Sequence, residues 1–214
     1  MREDSQQRIK KLVLMGVFMA IMIIQTVVPF IGFIDFLPVR VTLMHITVII
    51  GAIILGTEYG AMLGIFFGFV SLIKNTLTPN ATSFCFSPFV PIGEYYGGIK
   101  SVIVCFVPRV LVGVVSSLVY KMFVSLGKNK LGIVVSAVLG SLTNTIFVMG
   151  FIFIFFFKEF SSVFASARNI ALENVSKAII ALIGTQGILE AIASIIITYA
   201  VVMALKKAWL RGIN

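Results

Sequence analysis

Long apolar runs alternate with short polar segments along almost the whole chain. An α-helix needs about 20 mainly apolar residues to cross the hydrocarbon core of a bilayer, and short spans need somewhat fewer. The pattern therefore predicts an all-α integral membrane protein in which residues 1–214 form a single six-helix bundle. The transmembrane helices are expected at about residues 9–28, 42–55, 61–74, 101–124, 133–157 and 178–205.

The boundary between the second and third predicted helices depends on a short polar segment, GTEYG at 56–60. Glycine at both ends of this segment favours a tight turn, although one helix of over 30 residues would also fit the apolar pattern. We favour the turn. The longest segments between helices are then 29–41, 75–100 and 158–177, and the last is compatible with partial helical structure.

The composition agrees with a membrane location, since 59% of the residues are hydrophobic, 12% are charged and the mean hydropathy is +1.11. Of the 17 Lys and Arg residues, ten fall on the side of the two termini, six fall on the other side, and Arg109 lies between. Because cytoplasmic loops are rich in Lys and Arg, both termini are expected in the cytoplasm and the three long segments outside. The net charge of +9 is then an orientation signal, and nucleic acid is not an expected partner.

The chain has few residues suited to catalysis or metal binding: one histidine, two cysteines and eight acidic residues. It contains no HExxH, no GxxxxGK[ST] and no evident Ser/His/Asp set. ATP hydrolysis by this chain, a metal site and a cofactor are therefore not expected. An integral-membrane enzyme stays open as an alternative, with only Glu190 and His45 available as an acid/base pair.

Several polar residues lie inside the predicted helices. A charge at the bilayer centre costs at least about 2.5–3.5 kcal/mol, and such residues usually face a cavity or a partner. Arg109 follows Pro108, whose missing N–H is expected to free the carbonyl near Val104. The other candidates are Asn144, His45 and, four residues apart on one helix face, Gln186 and Glu190. The pattern predicts a polar cavity between the fourth, fifth and sixth helices, in their outer half.

Each of these residues also has a purely structural interpretation. Arg109 and Glu190 could form a buried ion pair that ties two helices together without any ligand. His45 could be a hydrogen-bonded packing residue. Tyr95 lies beside Glu94 in a glycine-rich loop, where it suits either the membrane interface or a lid over the cavity.

Two stripes of small residues, spaced four apart, suggest close helix contacts. Gly60, Gly64 and Gly68 on the third helix are expected to pack within this chain. Gly16 and Ala20 on the first helix lie near its cytoplasmic end, where a partner protein is nearly as good an explanation as packing within the chain.

The residues discussed above fall in segments with a familiar pattern: HITVIIGAIILGTEYGAMLGIFFGFVSLI, FSPF, FVPRVLVG, GSLTNTIFVMG and GILEAIAS. Over about residues 10–205 the chain resembles the substrate-binding S components of energy-coupling factor (ECF) vitamin transporters. The resemblance implies a six-helix protein that binds a vitamin from outside. It also implies a transmembrane coupling subunit and two cytoplasmic ATPase subunits as partners. Gly16 and Ala20 match the small-residue motif that docks the coupling subunit, although many relatives have alanine at both positions.

Among vitamins, the pattern looks closest to S components for pantothenate. Arg109 suits a carboxylate, and Asn144 and Gln186 suit hydroxyl and amide groups. If Glu190 neutralises Arg109, the cavity is neutral overall and the case for hydroxymethylpyrimidine, pyridoxine or riboflavin becomes stronger. A scaffold protein, whose polar residues only pair helices, is a further alternative.

Overall fold

A computed structural model describes residues 2–28, 32–36 and 39–211. This part of the chain forms six α-helices, one antiparallel pair of strands and a short 3-10 helix at Ser83–Cys85. The elements are, in order, α1 (Arg2–Val27), β1 (Phe33–Phe36), β2 (Val39–Thr42), α2 (Met44–Leu55), α3 (Thr57–Leu77), α4 (Gly98–Ser125), α5 (Asn129–Arg168) and α6 (Leu172–Arg211).

The helices have the length and composition of a membrane bundle, as predicted. Within the described residues, α1, α3, α4, α5 and α6 each contain a stretch that is long and apolar enough to cross a membrane. The remaining helix, α2, has only 12 residues, and all but one of them are buried. An apolar helix that is enclosed by its neighbours on every side is a core element, so α2 lies inside the bundle.

The turn between α2 and α3 is shorter than the sequence suggested. Gly56 alone separates the two helices, with a φ of +101° that favours glycine. Residues 57–60 already belong to α3. The prediction of two helices rather than one is confirmed, but the predicted turn over 56–60 is wrong in extent.

Two of the predicted loops contain regular structure. Most of the 158–177 segment is helical, because α5 and α6 extend to 40 residues each and meet at a turn with Asn169 at φ +52°. Non-helical backbone at Phe156 interrupts α5. The 29–41 segment contains most of the β1–β2 hairpin, in which Phe33 pairs with Thr42 and Phe36 with Val39. The all-α prediction missed this hairpin.

The bundle has two different ends. The loop end carries the β1–β2 hairpin, the α3–α4 loop (78–97) and the α5–α6 turn, and Arg40 of β2 donates a 3.1 Å hydrogen bond to the Thr78 carbonyl. The termini end carries the start of α1, the turn at Gly56, the α4–α5 turn and the end of α6. Lys11, Gly56 and Lys121 line one cavity there.

Close packing of α3 on α4 fixes the position of the central part of α4. A Cβ atom on Gly64 would lie 2.3 Å from the carbonyl oxygen of Arg109, and one on Gly113 would lie 2.0 Å from that of Gly60. Both distances are far below van der Waals contact. The glycine stripe on α3 therefore packs inside this chain and holds the backbone of Arg109 in place.

The α3–α4 loop is anchored in the core at the loop end. Phe84 and Cys85 are completely buried, and the Phe84 ring packs 5.7 Å from Phe156 of α5. Burial, together with the charge of Glu159, raises the pKa of the Cys85 thiol. The 3-10 helix thus inserts side chains between α4 and α5.

Candidate functional site

A narrow polar cavity of about 60 Å³ opens at the loop end of the bundle. Helices α4, α5 and α6 form its walls, together with β2 and the α3–α4 loop. Its lining residues are Arg40, Thr42, Thr82, Phe86, Arg109, Asn144, Thr145, Val148, Met149, Ile152, Phe160, Ile183, Gln186 and Glu190.

Arg109 reaches this cavity from the interior of α4, and only 4% of its surface is exposed. Pro108 has no N–H to donate to the Val104 carbonyl, and Arg109 Nη1 donates to that carbonyl instead, at 2.7 Å. The expectation that Pro108 frees the Val104 carbonyl is therefore confirmed. The guanidinium also lies 5.4 Å from the ring centre of Phe67 and 5.2 Å from that of Phe86, within cation–π range.

Glu190 lies on the opposite wall, on α6. Its Oε2 accepts a 3.0 Å hydrogen bond from the Thr145 hydroxyl of α5. No ion pair joins Glu190 to Arg109 in the described structure, where Arg109 contacts the Val104 carbonyl and two aromatic rings and Glu190 contacts Thr145. The two charges face one cavity without pairing, which argues against the purely structural interpretation of these residues.

Three buried polar atoms on the cavity wall have no hydrogen-bond partner within the described residues. They are Nε of Arg109, Oδ1 of Asn144 and Nε2 of Gln186. Buried polar groups in proteins are almost always hydrogen-bonded. Two donors and one acceptor that converge on one cavity therefore indicate a site for a polar ligand.

His45 and Tyr95, also predicted as site residues, do not line the cavity. His45 is completely buried at the start of α2, and its Nδ1 lies 2.8 Å from the Thr42 carbonyl. Since a carbonyl can only accept, Nδ1 carries the proton, and Nε2 is left as an unpartnered acceptor. Tyr95 packs against Phe84 with ring centres 5.7 Å apart, and its backbone pairs with Ile92.

Sequence reasoning missed the part of the cavity that comes from outside the long helices. Arg40 and Thr42 on β2, Thr82 in the α3–α4 loop and Phe86 after the 3-10 helix all line it. A signal for the hairpin existed. Two short runs, FIDF and VRVT, show partial alternation of apolar and polar residues, and two residues separate them. It was weak because the intervening Leu-Pro is not one of the preferred two-residue turns.

The predicted partner-binding residues, Gly16 and Ala20, lie on the exposed face of α1. A Cβ atom added to Gly16 would meet nothing within 4 Å. Unlike the stripe on α3, this pair makes no close helix contact within the described part of the chain.

Comparisons with known proteins point to one family. A protein-family description, "ECF transporter, substrate-specific component", matches residues 10–202. The chain is 38% identical over 197 residues to the pantothenic acid transporter PanT of Lactococcus lactis subsp. cremoris, covering 91% of this chain and 93% of the relative. It is 31% identical over 154 residues to the pantothenate transporter PanT of Leuconostoc mesenteroides subsp. mesenteroides, covering 68% and 69%. The chain therefore belongs to the family of substrate-specific components of ECF transporters.

Proposed function

We propose that this chain binds pantothenate in the polar cavity at the loop end and presents it to an ECF transporter for import. The observation that carries the proposal is the convergence of three unpartnered polar atoms, on Arg109, Asn144 and Gln186, in one cavity. The names of the two relatives support the choice of pantothenate over other vitamins.

The chemistry of pantothenate matches the cavity group by group. Its carboxylate suits the free donors of Arg109, because charge-assisted hydrogen bonds to a carboxylate are short and strong. Its amide and hydroxyl groups suit Asn144 and Gln186, and the carboxylate of Glu190 can accept from a hydroxyl. Its two methyl groups suit the apolar wall that contains Met149.

Binding requires the cavity to widen. Pockets for small molecules usually enclose about 300–1,000 Å³, whereas the present cavity has about 60 Å³. The β1–β2 hairpin and the α3–α4 loop form the wall that faces away from the helices, so we expect them to move when the vitamin enters.

A neutral ring vitamin, such as hydroxymethylpyrimidine, pyridoxine or riboflavin, is the second candidate. The observation that favours it is the presence of Glu190 on the wall facing Arg109, since the two charges would cancel. A small membrane enzyme is disfavoured because Glu190 lines the cavity and His45 does not.

We further propose six membrane crossings with both termini in the cytoplasm. The alternation of the helices between the two ends supports six crossings, with α2 linking the hairpin to the turn at Gly56. The excess of Lys and Arg at the termini end supports the orientation. The partners are then a coupling subunit in the membrane, reached through Gly16 and Ala20, and two cytoplasmic ATPase subunits that hydrolyse ATP.

Cysteine labelling in intact cells tests this orientation. An impermeant maleimide should label Ser166→Cys at the loop end but not Lys128→Cys at the termini end. The native cysteines give little background, because Cys85 and Cys105 are completely buried. Labelling of Lys128→Cys from outside would overturn the proposed topology.

Calorimetric titration of the purified chain tests the ligand. Pantothenate should bind, and its analogue with a carboxamide in place of the carboxylate should bind more weakly, because the charge-assisted hydrogen bond is lost. Hydroxymethylpyrimidine, pyridoxine and riboflavin are the comparison ligands. Binding of one of these without binding of pantothenate would contradict the proposal.

A further inference from the structure

An apolar groove lies at the termini end of the bundle, opposite to the polar cavity. Helices α1, α2 and α6 form its walls, and it encloses about 450 Å³. Its lining includes Val17 and Ile21 of α1, Ile54 of α2 and Val201 of α6, and all of its lining side chains are apolar except that of Lys206. This volume lies within the range of small-molecule pockets, about 300–1,000 Å³.

A second cavity continues this groove towards the end of the bundle. It encloses about 390 Å³, shares Ile53 and Ile54 with the groove, and is lined by the polar residues Lys11, Ser117 and Lys121 among others. Lys206 connects the two, since it lines the groove and donates a hydrogen bond to the hydroxyl of Tyr120 in the second cavity. Together they form one amphipathic groove, apolar along the helices and basic at the end.

The lysines of this amphipathic groove contact neutral groups. Lys121 Nζ donates to the Thr57 hydroxyl at 2.8 Å, and Lys11 Nζ lies 5.9 Å from the ring centre of Tyr59. Among the side chains that the structure describes, none of the three lysines is joined to an acid. Their positive charge is therefore available to an anion.

We propose that the amphipathic groove binds an anionic glycerophospholipid, with one acyl chain along the apolar part and the phosphate among Lys11, Lys121 and Lys206. A lipid chain can enter sideways, because Val17 and Ile21 are 50% and 40% exposed on the outer face of α1. Lysines near helix ends reach the depth of the phosphates, where basic residues are attracted to anionic lipids. The proposal does not depend on which vitamin the polar cavity binds.

The charge and the shape of the groove both point to this occupant. A free anion would use the lysines but not the apolar part, and a neutral lipid would use the apolar part but not the lysines. An anionic lipid, with an apolar chain and a negative head group, matches both parts of the groove.

Spin-label spectroscopy on the full chain in phosphatidylcholine vesicles tests the site. The probes are phosphatidylglycerol and phosphatidylcholine, each labelled on an acyl chain, and the measurement is the relative affinity from the immobilised fraction. The wild type should prefer phosphatidylglycerol. The triple variant Lys11→Gln, Lys121→Gln, Lys206→Gln should lower that preference at least about five-fold, the contribution of one lysine near a charged lipid surface.

Two further variants make the result specific. Lys128→Gln, Lys130→Gln, Lys207→Gln removes the same charge at the same end but outside the groove, and should keep most of the preference. Ile54→Trp fills the apolar part without changing charge, and should lower the immobilised fraction of phosphatidylglycerol even if the lysine variant fails to fold. Equal losses in the two triple variants would overturn the proposal. So would an unchanged immobilised fraction of phosphatidylglycerol in Ile54→Trp, also where that variant loses the coupling subunit on co-purification.

Discussion

Arg109 shows why a charged residue can be retained inside a membrane helix. Its guanidinium replaces the N–H that Pro108 lacks, lies within cation–π range of two aromatic rings, and still presents an unpartnered Nε to the polar cavity. The first two contacts offset part of the cost of burial. The third has no structural use within the described residues, which is why we propose that Arg109 binds the ligand.

The polar residues that the long helices contribute to the cavity could be predicted from the sequence, because a polar residue in an apolar span is costly and stands out. Arg109, Asn144, Gln186 and Glu190 were found in this way, and all four line the polar cavity. Arg40, Thr42 and Thr82 could not be found, because polar residues in a polar segment are ordinary. Their place in the cavity depends on tertiary contacts of the hairpin and the loop.

Arg109→Gln should bind pantothenate more weakly than the wild type. The variant keeps N–H donors but removes the charge, so losing one charged hydrogen bond should cost about 1.5–3 kcal/mol, or roughly 10–150-fold in pantothenate affinity. Titration calorimetry measures the affinity. Arg168→Gln, at the end of α5, is the matched control and should bind like the wild type. Unchanged affinity in Arg109→Gln would show that the arginine does not contact the vitamin.

At the scale of elements, apolar length predicted the existence of the helices but not their ends. The extension of α5 past residue 157 includes Lys158, Glu159 and Arg168, charges that suggest a loop when the chain is read alone. The extension is held by buried aromatic residues, Phe160 and Phe164, which belong to the same apolar cluster as Phe84 and Phe156. Packing between residues far apart in the sequence therefore sets where this helix ends, and the local sequence pattern does not reveal that packing.

Gly64→Ala should weaken the contact between α3 and α4. In Gly64→Ala, the added Cβ would lie 2.3 Å from the Arg109 carbonyl oxygen, so the helices must separate at a cost of about 1–3 kcal/mol. The melting temperature should fall, and pantothenate should bind more weakly because Arg109 moves with its helix. Gly150→Ala on α5 has open space around it and should be neutral or slightly stabilising. Equal melting temperatures in the two variants would contradict the close packing.

On the scale of the whole molecule, the two ends of the bundle carry different surfaces. The loop end has the polar cavity and the termini end has the basic amphipathic groove. Under the proposed function, the vitamin enters at the loop end and the partner subunits act at the termini end, so each end carries a surface of its own.

Leucine at Gly16 or Ala20 of α1 should weaken assembly with the coupling subunit but not vitamin binding. Gly16 and Ala20 are exposed and Gly16 has no neighbour within 4 Å of an added Cβ, so leucine at either position should leave the fold and pantothenate binding intact. A bulky side chain should nevertheless weaken assembly with the coupling subunit, because small residues allow close approach of helices in membranes. Co-purification with the tagged coupling subunit measures assembly. Ala181→Leu, on the exposed face of α6, controls for a larger side chain facing lipid and should assemble normally. If Gly16→Leu and Ala20→Leu assemble as well as this control, then the coupling subunit docks on another face of the bundle.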